Sequence, residues 1–132
     1  GLDRLGRRDL GHAIPIAEML PAPSQAAVAV GTLAGSPAAA IIGAIDDAQT
    51  SAAVLTERAF LAAIHAGCHS PVGALARIAD GRVTLRAQLL SEDGEDSIEG
   101  KSSGAPGDEL AATLASDLLA RAPAAVQRLF GG

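Results

Sequence analysis

Residues 72–90 read VGALARIADGRVTLRAQLL, two apolar-rich runs joined by Asp80-Gly81. An Asp-Gly pair between such runs signals a two-residue hairpin, because both residues tolerate the positive φ that a tight, right-twisting turn demands. The second run is the clearest strand in the chain. Val83, Leu85, Ala87 and Leu89 point one way, and Arg82, Thr84, Arg86 and Gln88 point the other. One face therefore seeks a core while the other meets water. A second Asp-Gly pair, Asp93-Gly94, leads to a weaker strand near Ser97 to Ser102, so a three-stranded antiparallel meander is expected.

The flanking segments supply its cover. Downstream, Asp108 and Glu109 open a helix that carries Leu110, Leu114 and Leu118 at i, i+4 and i+8. Its acidic first turn suits the helix dipole. Pro123 stops it, and a last short helix holds Val126, Leu129 and Phe130. Upstream, Asp46 with Gln49 three positions on has the form of a capping box. Val54, Leu61 and Ile64 then share one helical face, flanked by Leu55 and Phe60, with Glu57 and Arg58 off it. Gly67 is expected to end that helix. Helix, three strands and helix give an α+β fold: a small three-stranded antiparallel sheet with helices on one face.

The first 45 residues do not read as part of this layer. Leu2 to Gly6 has the pattern of a final helical turn with Gly6 as its left-handed stop. Residues 13–25 form a Pro-punctuated connection, Ala27 to Thr32 are expected as a short strand, and Ser36-Pro37 starts a helix to about Ile45. These pieces have no partner for their apolar faces within their own length, which suggests segments belonging to neighbouring domains. Residues 19–45 carry no charge, a length that would cross a bilayer. Pro21, Pro23, Pro37, Gly31, Gly35 and Gly43 break the run, so no membrane span is expected.

Composition narrows the function. The 132 residues include thirty alanines and only two aromatics, Phe60 and Phe130. The core must be thin and built from Leu, Ile and Val. With 10 Lys and Arg against 15 Asp and Glu, the formal charge is −5. That balance, with no aromatic platform for stacking bases, disfavours nucleic acid. The apolar content, 48% of residues, excludes a disordered acidic tail. One cysteine, Cys68, forms no intrachain disulfide and no Cys-rich metal site, and a reducing, cytoplasmic setting is expected.

Cys68 lies in Ala66-Gly67-Cys68-His69-Ser70-Pro71-Val72-Gly73-Ala74. A lone cysteine in an alanine-rich chain is ordinarily a small buried hydrophobe. Three local features favour a reactive thiol instead: a loop position after a helix-ending glycine, a loop constrained by Gly67, Pro71 and Gly73, and His65 and His69 nearby to assist deprotonation. Against this, the carboxyl end of a helix disfavours an anion. His65, Cys68 and His69 are awkwardly close in sequence for one metal ion and lack a second ligand pair, so no metal is expected. Gly31 and Gly35 ahead of a helix lack the lysine of a phosphate loop. The run Glu92, Asp93, Glu95, Asp96 and Glu99 reads as a solvated hairpin tip. Arg4, Arg7 and Arg8 form the only local positive cluster. A solvated helix end is their ordinary reading, although arginine suits bidentate capture of carboxylates.

Four stretches together resemble one family. Residues 56–61 (TERAFL), 66–74 (AGCHSPVGA), 20–28 (LPAPSQAAV) and 1–6 (GLDRLG) are similar in order and spacing to segments of porphobilinogen deaminase, also called hydroxymethylbilane synthase. The resemblance covers the carboxy-terminal two-fifths or so of such an enzyme. It implies that residues 1–24 are the tail of the second domain and 25–46 a segment returning to the first. Residues 47–132 would be the carboxy-terminal cofactor-attachment domain. It further implies that Cys68 attaches a dipyrromethane cofactor through a thioether. That cofactor primes the head-to-tail condensation of four porphobilinogens into hydroxymethylbilane, with release of ammonia. By the same resemblance Gly67 belongs to the attachment loop, Arg4 matches a cleft arginine, and Gln25 matches the glutamine of the interdomain crossing that touches the bound chain. No catalytic residue is expected in this chain, because the catalytic aspartate and most of the arginines that clamp the pyrrole carboxylates would lie in the amino-terminal domains. The isolated chain is then expected to be inactive. Its partners would be porphobilinogen, the growing oligopyrrole and those amino-terminal domains, with neither nucleic acid nor membrane. Three positions depart from the family pattern: Ala26 replaces a glycine, Gly31-Thr32-Leu33 replaces Glu-Cys-Arg, and Ala66 replaces the first glycine of Gly-Gly-Cys. Leu33 and Ala26 motivate the alternative reading, a non-catalytic divergent relative acting as an interaction module.

Overall fold

The computed structural model describes residues 2–130. Its elements run α1 (Pro37–Gly43), α2 (Ala48–Ala63), β1 (Val72–Ala79), β2 (Arg82–Leu90), β3 (Ser97–Gly104), α3 (Asp108–Arg121) and α4 (Ala124–Gln127). The three strands form one antiparallel sheet in the order β1-β2-β3. Asp80 and Gly81 both have positive φ, 52° and 70°, so the first hairpin turns as expected.

The register places Ala76 opposite Leu85 and Leu85 opposite Ser102. Ala74, Ala76, Val83, Leu85, Ala87 and Leu89 thus share one face, and all six are buried. Helix α2 covers this face beside β1, α3 covers it beside β3, and the two helices touch. Phe60 from α2 and Ile64 at its C-cap share a core with Leu114, Ala115 and Leu118 from α3, and with Val126 and Phe130. Each such Leu, Ile or Phe contributes about 1.5–3 kcal/mol by leaving water. On the opposite face Arg86 pairs with Glu99 across β2 and β3 and is about one-third exposed, consistent with a solvated surface.

Strand β3 contributes little bulk to the core, and this is what lets α3 settle. A Cβ at Gly100 would stand 2.8 Å from Leu118 Cδ2 and 3.0 Å from Leu114 Cδ1, and one at Gly104 would stand 2.8 Å from Leu110 Cδ1. The leucine ridge read from the sequence therefore packs directly on strand backbone.

Helix α2 differs from expectation at three points. Its N-cap is Asp47, whose Oδ1 accepts from the Thr50 N–H at 2.7 Å, whereas Asp46 accepts from the Ser51 hydroxyl. Its buried face is Thr56, Glu57 and Phe60, continued by the C-cap Ile64, while Leu55 is 65% exposed. Glu57 enters the core side because both its carboxylate oxygens are bonded there, which removes the usual penalty of burying an acid. Finally, the helix ends before Gly67. The Ala66 N–H donates to Leu61 O at 2.9 Å and the His65 N–H to Ala62 O at 3.1 Å, with His65 at φ 53°. This is a Schellman stop in which histidine takes the left-handed position.

The strand expected at Ala27 to Thr32 is absent, and Val28 is 87% exposed. A strand needs a ladder partner, and the free edge of β1 is already occupied at Ala74 and Ala76 by other acceptors. Gly6 does take the left-handed conformation, φ 65°. Ser36 starts α1 with extended backbone, but its hydroxyl pairs with Thr32 rather than capping. Among the described residues up to 50, only Leu20 is buried. No single helix among the described residues is long and apolar enough to cross a membrane; α1 and α2 together reach that length but bend by 99°.

Candidate functional site

The Schellman stop delivers the chain into a closed turn. The Ser70 N–H donates to Gly67 O at 3.1 Å, and the Gly67 N–H donates to Ser70 Oγ at 2.9 Å. Cys68 and His69 occupy the two corners between these doubly joined ends. The exit is pinned as well: the Val72 N–H donates to Ser70 O at 2.9 Å, and the Leu90 N–H donates to Pro71 O at 3.0 Å, extending the β1–β2 ladder to the edge of the turn. Cys68 is exposed, as are His65 and His69. A thiol on a fixed, solvent-facing corner can act as a nucleophile toward a partner brought to it. The space beside Gly67 is open, with nothing within 4 Å of a Cβ built there.

The 20–25 segment lies along the free edge of β1. Gly73 permits this, because a Cβ there would stand 2.8 Å from Leu20 Cβ and 3.3 Å from Leu20 O. The Ala74 N–H then donates to Pro21 O at 3.0 Å. Three residues on, the Ser24 N–H donates to Glu57 Oε2 at 2.6 Å, and Glu57 Oε1 accepts from the Ala76 N–H at 2.7 Å. The segment leaves this anchorage through two left-handed residues, Ser24 at φ 62° and Ala26 at φ 68°.

Of the residues singled out in the sequence, Gly67 and Cys68 stand together in the closed turn. Gln25 is exposed, and its Oε1 folds back to accept from the Ala22 N–H at 3.2 Å. Arg4 lies in an exposed 3-10 turn, Leu2–Leu5, and among the described residues it makes neither an ion pair nor a side-chain hydrogen bond. Neither residue is hydrogen-bonded to the cysteine turn. Among the described residues, no group of three or more His, Cys, Asp or Glu is placed so that it could hold a metal ion. Glu57 was missed by hydropathy, although its spacing from Phe60 and Ile64 places it on their helical face. Ser70 carried no signal beyond its place in the loop.

Comparison with known proteins accounts for these motifs. The family model for the porphobilinogen deaminase C-terminal domain matches residues 51–120. Porphobilinogen deaminases of Mycobacterium avium (strain 104) and Mycobacterium tuberculosis (strain CDC 1551 / Oshkosh) are each 43% identical over 131 residues. The alignment covers 89% of this chain and 42% of each relative. The enzyme of Sphingopyxis alaskensis is 42% identical over 132 residues, 98% of this chain and 42% of its own. The chain thus spans about 42% of the length of these curated relatives. With its domain-sized match, its three-stranded sheet under two helices and its cysteine turn, the chain belongs to the porphobilinogen deaminase family and contains that family's C-terminal domain.

Proposed function

We propose that this chain is the cofactor-carrying part of a cytoplasmic hydroxymethylbilane synthase, with a dipyrromethane held covalently by Cys68. The observation that carries the reading is the single exposed thiol at the corner of a turn closed at both ends. A thioether needs a sulfur that an electrophilic methylenepyrrole can reach, and it keeps its direction only if the backbone beneath is fixed. Attachment would form the S–C bond as the exocyclic C=C of the methylenepyrrole breaks, its electron pair moving to the ring nitrogen, which would take the proton that the thiol gives up. When bound, a dipyrromethane supplies the pyrrole carbon from which head-to-tail condensation of four porphobilinogens starts.

The chain's other residues fit attachment better than turnover. Arg4 stands apart in its own turn, and Leu33, where the family carries arginine, is 80% exposed. In this reading the anion clamp and the acid catalyst reside in the amino-terminal domains of the enzyme, and residues 1–24 and 25–46 are the passages to and from them. Gln25 is then placed at the crossing, facing the growing oligopyrrole once those domains are in place. The isolated chain would not turn over.

Intact-mass measurement of the full-length protein tests the assignment. The wild type should carry an added dipyrromethane mass, and Cys68→Ser should lack it. A wild-type parent with no added mass would overturn the assignment in favour of a non-catalytic relative.

A further inference from the structure

We propose that Glu57 is the latch that fixes the interdomain crossing to the cysteine-bearing domain, a positioning residue for the reaction assigned above, on which this inference rests. Its side chain belongs to a residue only 5% exposed, and its two oxygens serve two different segments. One accepts from Ser24 N–H in the crossing, the other from Ala76 N–H on the free edge of β1. Neither N–H has a secondary-structure partner. A carboxylate is the side-chain end group that offers two acceptor oxygens and no donor, and its hydrogen bonds are the strong, charge-assisted kind.

The location of this bond decides what it controls. The chain that leads into the crossing is held at three successive points: Leu20 against Gly73, Pro21 to Ala74, and Ser24 to Glu57. Among the described residues, the last is the only side-chain hydrogen bond between residues 20–26 and α2. Freeing Ser24 leaves the Leu20 end docked but releases Gln25 and Ala26, so Glu57 sets the direction in which the chain departs toward the domain it serves. The same carboxylate grips β1, whose first residue, Val72, is separated from the cysteine turn by Pro71 alone. Glu57 thereby ties the exit direction of the crossing to the position of the Cys68 turn.

Hydrogen exchange by mass spectrometry and steady-state kinetics on the full-length enzyme test this, using wild type, Glu57→Gln and Glu57→Asp. Glutamine keeps the size but presents an NH2 to one of the two N–H groups. Exchange of the peptides holding Ser24 and Ala76 should rise by about tenfold or more, the scale of losing one hydrogen bond to a charged acceptor. The β2 peptides should be unchanged, the dipyrromethane mass retained, and kcat lowered several-fold with KM for porphobilinogen little altered. Glu57→Asp, able to keep one of the two bonds, should fall between. Equal acceleration across β2 would make Glu57 a general stabiliser and overturn the latch, as would local acceleration with unchanged kcat. If Glu57→Gln does not fold, wild-type exchange decides: a Ser24 amide as protected as the β1 amides supports the latch, and a freely exchanging one overturns it. Absence of the dipyrromethane mass in the wild type would sink the functional reading alone, since Ser24 exchange still reports on the latch.

Discussion

Gly100 lies directly beneath Leu118: a methyl group added to the glycine would stand 2.8 Å from Leu118 Cδ2. Leu118 is fully buried, and Leu114 closes the other side at 3.0 Å. Gly100→Ala must therefore push two leucine ends into a packed core. A loss of about 1–3 kcal/mol in unfolding free energy is expected, the usual cost of overpacking. Denaturant titration checks it, and in a Leu118→Ala background the same glycine substitution should cost less. A neutral Gly100→Ala would show that α3 does not rest on β3 in this way.

Gly73 makes the opposite kind of contact. The obstacles to a side chain there are the Cβ and backbone of Leu20, which cannot rotate aside. Gly73→Ala should lift the 20–25 segment and break the Pro21–Ala74 bond while sparing the sheet's inner face. Limited proteolysis should find a new cut within residues 20–26, with β2 still resistant. Unchanged proteolysis would count against the docking of residues 20–25 on β1.

Left-handed backbone at residues with a Cβ gives a third expectation. His65 at φ 53° and Ala26 at φ 68° both occupy a conformation costly for L residues. Glycine relieves that strain at the expense of some unfolded-chain entropy. His65→Gly and Ala26→Gly should each stabilise by about 0.5–1 kcal/mol, read as a raised urea midpoint. The glycine that the family resemblance implies at position 26 would thus have a physical reason, namely the positive φ.

The sheet and α3 were legible because their signals are local: strict alternation in β2, two Asp-Gly turns, and leucines four apart. The outward place of Cys68 was legible too, from the loop residues around it. What escaped was set by distant chain. Glu57 looks like a solvated residue until Ser24, 33 positions away, and Ala76, 19 away, bring N–H groups to it. The expected strand at Ala27 to Thr32 fails for a related reason, because other acceptors hold the edge it would need. The helix stop moved from Gly67 to His65, since hydropathy says nothing about which residue takes the left-handed turn.

Acid should weaken the protein through caps and loop carboxylates. The Thr50 N–H bonded to Asp47 holds that carboxyl below its ordinary value, and the Ser91 hydroxyl with the Glu95 N–H does the same for Asp93. A depressed folded pKa means the ionised form is the stabilising one. Its contribution is complete above the unfolded value, about 3.9, and is lost as pH falls through the folded value. Asp47→Asn keeps a capping oxygen that does not titrate. Its stability should match wild type near neutral pH and fall less steeply below about pH 4. Asp93, and Asp9 and Asp117 with their arginine partners, would supply the remaining slope. Identical acid limbs for wild type and Asp47→Asn would remove the cap from the account.

Thiol labelling addresses the cysteine turn itself. Cys68 is exposed in the folded chain, and its turn is closed by Gly67 and Ser70 without covering the sulfur. No opening event should be needed for a small alkylating reagent to reach it, so the folded chain should label within about tenfold of the rate in urea at the same pH. Protection of a hundredfold or more, about 2.7 kcal/mol of opening, would mean a sealed sulfur and a turn unfit to present anything. In the full-length protein a thioether at this sulfur would abolish labelling altogether. The pair of measurements therefore separates a thiol hidden by the fold from one already used.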